Sequence, residues 1–388
     1  MNLLAASGDS HRFDNRQINV LHIAAGKLYG GIEAYLATVA RLGQGESGLR
    51  HAFAVCYSGR LSDELDKAQG ELYDLGPARM SRPWSVRRSR KRLDRIIREK
   101  CFDIAITHGS WPQLMFGSTA KRAGAQLTYF IHDNLEKPSW IDRFAAQTTP
   151  DLVLANCHFT LAGARRLYRN SPAEVCSYAI EAGNAVPSAR VEVRRELGVA
   201  QDRVIVIHAS RLERWKGHAT LIEAMGRLRN LPNWELWVAG GAQRPHEIGY
   251  LHELEVAARR LSIDSHVRFL GQRNDVRRLL AAADIFCQPN VEPEPFGIVF
   301  IEALYAGLPV VTSDFGGAKE ILSGTTGVLL PPGDVETLAN KLQQLIEDPE
   351  LRRRAAIGGP SRAAELCDPA QHFQKLFRLI SPTLPKAS

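Results

Sequence analysis

Residues 204–229, VIVIHASRLERWKGHATLIEAMGRLR, decide the fold. Val204 to His208 is a strand-like run dominated by β-branched residues, the pattern of a parallel strand covered on both faces. A polar turn, Ala209 to Lys216, follows it, and Gly217 opens an apolar helical pattern reaching Arg229. Strand, short loop and helix in that order form the repeating unit of a parallel sheet flanked by helices. The unit recurs on both sides. Downstream, Trp234 to Ala239, Val267 to Leu270, Ile285 to Gln288 and Pro309 to Thr312 each precede a helical pattern. Upstream, Ile18 to Ala24, Ala52 to Cys56, Asp103 to Thr107, Gln126 to Ile131 and Leu152 to Ala155 do the same.

A chain of 388 residues is too long for one ordinary core. The Gly/Ala/Pro/Ser-rich stretch Ala182 to Ala189 divides the two series. The sequence therefore predicts an α/β protein with two Rossmann-like, doubly wound domains, 18–187 and 188–368. A loose polar tail is expected over 1–17. A last helix is expected within 369–388, after the break at Cys367-Asp368-Pro369. Ligands of such sheets bind outside the carboxyl ends of the strands, and the polar motifs fall there.

Composition bounds the rest. Hydrophobic content of 45% with 23% charged residues excludes a disordered or fibrous chain. No apolar stretch approaches the roughly 20 residues that span a bilayer, and the first residues lack a basic-then-apolar leader, so a cytoplasmic protein is expected. The six cysteines are scattered with no Cys-x-x-Cys pair, which suits buried free thiols in a reducing compartment. The net charge of +7 concentrates in the first half, where Arg79 to Lys100 holds ten basic residues. That run predicts an anionic partner, either a membrane surface contacted peripherally or a phosphorylated acceptor, against the plainer reading of a solvated helix face. No nucleic-acid partner is expected.

The strongest motif is Glu294-Pro295-Phe296-Gly297-Ile298-Val299-Phe300-Ile301-Glu302. Glu294 precedes a helix and Glu302 lies inside it, so both cannot be ordinary helix-surface charges. The turn between them leaves backbone N–H groups free for anionic or hydroxyl oxygens, and the carboxylates can accept hydrogen bonds from sugar and ribose hydroxyls. In Ala209 to Gly217, Arg211 and Lys216 supply a planar fork and a point charge, which suit a diphosphate leaving group. Gly30-Gly31-Ile32-Glu33 opens the first helix with paired glycines that let backbone approach a phosphate. His132, with Asp133, and His108 follow strands and are either sugar-facing or structural. No His/Cys/Asp cluster has metal-ligand spacing and no Asp-x-Asp is present, so no metal or other cofactor is expected.

Together these motifs resemble the retaining glycosyltransferases of the group 1 (family 4, glycogen-synthase-like) type, from about Ile18 to Leu379. Val310-Val311-Thr312, Gly316-Gly317, Glu320 and Gly327 to Leu330 add to the likeness. The resemblance implies a GT-B fold with an acceptor-side first domain, a nucleotide-sugar-binding second domain, and a C-terminal helix crossing back. It implies that Arg211 and Lys216 bind the donor diphosphate, with Gly30 and Gly31 against it. Glu302 would hold the ribose, and Glu294 the transferred sugar beside the amides of Phe296, Gly297 and Ile298. His132 would face the sugar, and Leu270 to Arg273 the base. A metal-independent, retaining hexosyl transfer from a UDP-sugar to an unidentified acceptor is the function implied. An epimerase, a phosphorylase and a non-catalytic binding protein are the alternatives. One stretch departs from the family: Ser177 to Glu181 stands where an Asn-Gly pair commonly closes the first domain.

Overall fold

The computed structural model describes residues 17–44, 48–183, 187–242 and 244–383. The expected tail, except Gln17, and the last residues, 384–388, lie outside the described residues. Among the described residues thirteen strands form two parallel sheets. The first holds β1 (Ile18–Ala24), β2 (Leu49–Val55), β3 (Glu71–Asp74), β4 (Ile104–His108), β5 (Gln126–Ile131), β6 (Leu152–Ala155) and β7 (Ala173–Val175), in the order β3-β2-β1-β4-β5-β6-β7. The second holds β8 (Val204–Ala209), β9 (Trp234–Ala239), β10 (Val267–Gly271), β11 (Ile285–Gln288), β12 (Val310–Ser313) and β13 (Gly327–Leu330), in the order β10-β9-β8-β11-β12-β13.

Every residue of β8, β9, β11 and β12 is buried, as continuous apolar runs between two helical layers require. In each sheet the order reverses beside one strand: β1 lies between β2 and β4, and β8 between β9 and β11. Loops at such a switch point part to opposite faces and leave a crevice. The Gly30-Gly31 loop leaves β1, the Arg211–Lys216 loop leaves β8, and the Glu294 loop leaves β11. Register therefore delivers three of the four motifs to crevices.

Three strands escaped the sequence reading. β3 and β7 are short edge strands, and β13, noticed only as a motif, is a four-residue edge strand. Edge strands carry little of the hydrophobic pattern that flags a central one. The stretch expected to be a linker also gives way at Pro187 to a helix, Pro187–Glu196. Its Arg194 is fully buried and donates to Asp284 and to the carbonyls of Ala282, Gln201 and Arg203.

The helix Pro369–Ile380 packs against the first sheet's helices. His372 accepts from Tyr35 Oη at 3.0 Å and donates Nδ1–H to the Ser177 carbonyl at 2.6 Å. Beneath it runs a row of buried imidazoles from His51 through His22 and His108 to His132, with ring-nitrogen separations of 2.9, 2.9 and 3.0 Å. Tyr178 ends the row, its hydroxyl 2.6 Å from His132 Nδ1 and accepting from Asn156 at 3.0 Å. Tyr178 spends its own proton on His132 because Asn156 already donates to it, so each ring accepts at Nδ1 and donates at Nε2.

Burial holds these histidines neutral. His51 and His132 are pushed down to about 3 and His372 to about 4, and His22 and His108 are also lowered. Their folded affinities for protons lie below the unfolded value near 6.5, so the unfolded chain binds more protons between those limits. Stability should accordingly be full above pH 6.5 and fall as pH drops, by about 1.4 kcal/mol per pH unit for each histidine. Urea midpoints measured from pH 7.5 to 5 check this, and a flat profile contradicts it.

Candidate active site

A cleft of about 850 Å³ lies between the two sheets and is lined by Gly30, Gly31, Arg211, Lys216, Arg273, Glu294, Gly297, Ile298 and Glu302, among others. Nine of the residues singled out from sequence thus share one cavity. Its second-sheet wall is built from the loops after β8 and β11. Gly217, at φ +80°, lets these loops touch: a Cβ there would sit 1.8 Å from the Pro289 carbonyl oxygen. The Val291 N–H donates to the Trp215 carbonyl at 2.8 Å, which closes the contact.

That contact brings Lys216 Nζ to 2.5 Å from Glu294 Oε2, with both side chains nearly buried. The same oxygen accepts from Gln288 Nε2 and Asn290 Nδ2, each at 3.1 Å. Thr312 and Ser313 of β12 donate to the carbonyls of Gln288 and Asn290, at 2.7 and 2.6 Å, which fixes the backbone beneath. No described hydrogen bond reaches Glu294 Oε1. The helix Ile298–Tyr305 begins at Gly297, whose φ is +96°. The N–H groups of Gly297, Ile298 and Val299 make no hydrogen bond to a described carbonyl outside that helix. The tip of the helix is therefore a set of aligned donors beside a lysine.

Arg211 pairs with Glu213 at 3.0 Å and remains a third exposed. Burial raises the Glu33 carboxyl, opposed by its hydrogen bond from Gly30 N–H and by Arg211. Asp133 is open to water yet enclosed by protein on several sides. That enclosure first, and then Asp142, push its carboxyl up, with Arg211 pulling the other way. Arg211 thus lies within electrostatic reach of two first-sheet carboxylates. Glu302, raised by burial, is held by Arg277 Nε at 3.3 Å, which also lowers it. Arg277 in turn lies 3.8 Å from Glu181, which takes Arg41 at 2.6 Å.

Three expectations change. His132 does not face the cleft with its side chain, since both ring nitrogens are used inside the imidazole row. The structural reading also holds for His108. Leu270 packs against the apolar core instead of lining the cavity, at the point where β10 shifts register against β9; Arg273 does line it, locked to Asp275 at 2.8 and 2.7 Å. Phe296, expected to offer its backbone amide, is not among the residues that line the cavity, and its ring stands edge-on to Tyr178 at 5.2 Å between centroids. Sequence reasoning missed Gln288, Asn290, Arg277 and Glu181, ordinary polar residues whose placement depends on neighbouring strands. It also missed Ser210, whose hydroxyl meets His208 Nε2 at 2.9 Å and His218 Nε2 at 3.3 Å and so braces the Arg211 loop. A Gly-Gly signal at Gly240-Gly241 was available: a Cβ on Gly240 would lie 2.0 Å from the Ser210 carbonyl.

Residues 190–362 match the family described as Glycosyl transferases group 1. A GDP-mannose-dependent monoacylated alpha-(1-6)-phosphatidylinositol monomannoside mannosyltransferase of Corynebacterium glutamicum is 34% identical over 190 residues, 46% of this chain and 47% of that one. Lipopolysaccharide core biosynthesis glycosyltransferase LpsE of Rhizobium meliloti is 35% identical over 167 residues, 43% of this chain and 46% of that one. The chain spans about half the length of the curated relatives it matches. Anabaena Alr3699/HepE in complex with UDP-glucose superposes with a TM-score of 0.84 at 25% identity, covering 94% of this chain and 100% of that one. WaaG, a glycosyltransferase involved in lipopolysaccharide biosynthesis, shares the fold at a TM-score of 0.68 and 19% identity, over 93% of this chain and 99% of that one. The fold is GT-B.

Replacing Gly217 by Ala should cost about 2–4 kcal/mol, because a side chain must meet both a positive φ and a backbone oxygen. A wild-type denaturation midpoint in that variant would show that the two loops do not depend on their contact.

Proposed function

We propose that the chain, whose residues 190–362 match the model of the group 1 glycosyl transferases, transfers a hexosyl group from a nucleotide-diphosphate sugar to an acceptor, with retention and without a metal. The observation that carries this reading is the convergence of Arg211, Lys216, Glu294, Glu302 and the Gly297 turn on one cleft. Arg211, Lys216 and the helix-tip amides stabilise the charge that grows on the diphosphate as the glycosidic bond breaks. Gly30 and Gly31 approach the diphosphate from the first sheet. Glu302 accepts from the ribose hydroxyls, and Glu294 Oε1 from a hydroxyl of the transferred sugar. The departing phosphate oxygen takes the acceptor's proton on the face from which it leaves. That route retains the anomeric configuration.

A uridine donor is favoured, because the UDP-glucose-bound neighbour superposes over nearly the whole chain. GDP-mannose, used by partial relatives, is second. The acceptor is read as one presented at an anionic surface. Trp84, Arg88, Lys91, Arg95 and Arg98 lie along one exposed stripe of the helix Pro83–Lys100, whose Ser89, Leu93 and Ile97 turn inward. Trp84 is 64% exposed and Met80 44%. An aromatic ring beside guanidinium groups suits the boundary between headgroups and acyl chains. Among the described residues no helix is long and apolar enough to cross a membrane, so contact of this kind would be peripheral.

Thermal shift with UDP, GDP and their sugars tests the donor, since a ligand of the native state raises its melting point. Lys216→Ala and Glu294→Gln should stay folded and lose about tenfold or more in turnover, the worth of one charge-assisted bond. Chelation with EDTA should leave the rate unchanged. Wild-type turnover in a folded Glu294→Gln variant sinks the assigned role. Binding to vesicles containing anionic phospholipid should weaken as salt rises and be lost in Arg88→Glu/Lys91→Glu/Arg95→Glu. Salt-independent binding, or none, removes the membrane reading.

A further inference from the structure

Glu320, on the short segment Ala318–Ile321 beside the second sheet, reaches across to the first. Its Oε2 accepts the His158 N–H at 2.8 Å and its Oε1 the Phe159 N–H at 2.6 Å. These are the first N–H groups of the ten-residue helix His158–Leu167, which follows β6. They have no partner within their own helix, and the helix dipole favours an anion at that end. Cys157, just before the helix, donates Sγ–H to the Pro295 carbonyl at 3.0 Å.

The backbone that carries Glu320 is fastened to the Glu294 turn. Gly317 N–H donates to the Glu294 carbonyl at 2.8 Å, and at Gly316, with φ +67°, a Cβ would come within 2.5 Å of the same oxygen. From behind, Arg362 Nη2 donates to the Glu320 carbonyl at 2.6 Å. Two segments fastened to one another thus hold two carboxylates: Glu294 facing the cleft, and Glu320 seated on the opposite domain.

We propose that Glu320 is a positioning residue that fastens the first sheet onto the Glu294 turn and so sets the closed geometry in which donor meets acceptor; this rests on the reading of that turn as the donor site. The seam also holds the Cys157 thiol on the Pro295 carbonyl and Arg277 at 3.8 Å from Glu181, and the contacts nearest the donor turn are apolar. A Cβ on Gly31 would lie 3.3 Å from Ile298 Cδ1, and Tyr178 meets Phe296 edge-on. Such contacts resist separation but tolerate sliding. The two bonds to Glu320 are charged and directional, and they fix the angle between the domains. A cleft held at that angle keeps water from the reacting carbon.

Small-angle scattering and turnover, measured on the wild type, Glu320→Gln and Glu320→Ala, test this. The Ala variant should be more expanded with or without UDP and bind UDP within about twofold of wild type, because the cleft residues are untouched. Its transfer rate should drop about tenfold or more, with a larger share of donor lost to hydrolysis. The Gln variant keeps one acceptor oxygen and should recover part of both the compactness and the rate. An unchanged radius of gyration overturns the proposal, as does a loss of UDP binding in step with the rate, which would place Glu320 in the donor pocket itself. Should Ala fail to fold, the Gln variant decides by the same readouts. If wild type binds no nucleotide, the donor reading falls, while the comparison of radii still decides the latch.

Discussion

The structure turns on the ion pair between Lys216 and Glu294. Nearly buried charges lose most of their hydration, and a pair of this kind contributes little to stability by itself. It is tolerated here because Glu294 Oε2 collects two further donors, from Gln288 and Asn290. Those donors come from the end of β11, and the lysine comes from the loop after β8. The pair can form only when β8 and β11 are neighbours with both loops on one edge. The strand order at the switch point and the composition of the cleft are thus the same fact.

How much of this was legible follows from which interactions are local. Central strands were readable because burial on both faces forces a continuous apolar run, and β9 and β11 match the sequence reading residue for residue. The Glu294–Glu302 motif was readable because proline and glycine punctuate it, and Gly297 does adopt a positive φ. Arg277 and Glu181 were not readable. They are 96 residues apart in number, and nothing in either neighbourhood announces that a hinge segment and a helix will meet. The stretch Ser177 to Glu181 that departs from the family pattern is where first sheet, last helix and cleft come together: Ile180 N–H donates to the Cys367 carbonyl at 2.9 Å, and His372 to the Ser177 carbonyl.

His132 shows why position along a strand does not settle the direction of a side chain. It follows β5 directly, which is what suggested a place at the cleft, yet it is not among the residues that line the cavity. The ring turns inward because His108 and Tyr178 offer partners to both nitrogens, and an imidazole buried without them would leave polar atoms unsatisfied. The residue that the same turn leaves exposed is Asp133, within electrostatic reach of Arg211 and Glu294. A histidine at a strand end is therefore weak evidence of contact with ligand where buried partners take both ring nitrogens. The row still bears on the site indirectly, since Tyr178 stands against Phe296 under the Glu294 turn.

Each carboxylate lining the cleft already has a cation: Glu64 has Arg60, Glu181 has Arg41, Asp275 has Arg273, Glu294 has Lys216 and Glu302 has Arg277. A ligand entering such a site does not meet free charge; it exchanges partners. A diphosphate can take Lys216 from Glu294 while leaving Gln288 and Asn290 in place. A hydroxyl can join Glu302 without displacing Arg277, because one carboxylate has about four acceptor positions. A ligand offering only anions would strand the acids, and one offering only hydroxyls would leave the lysine bound to its glutamate. The molecule that would satisfy both halves carries phosphate and hydroxyl groups at a fixed separation, and on the proposed function that double requirement, more than net charge, is what the cleft would select.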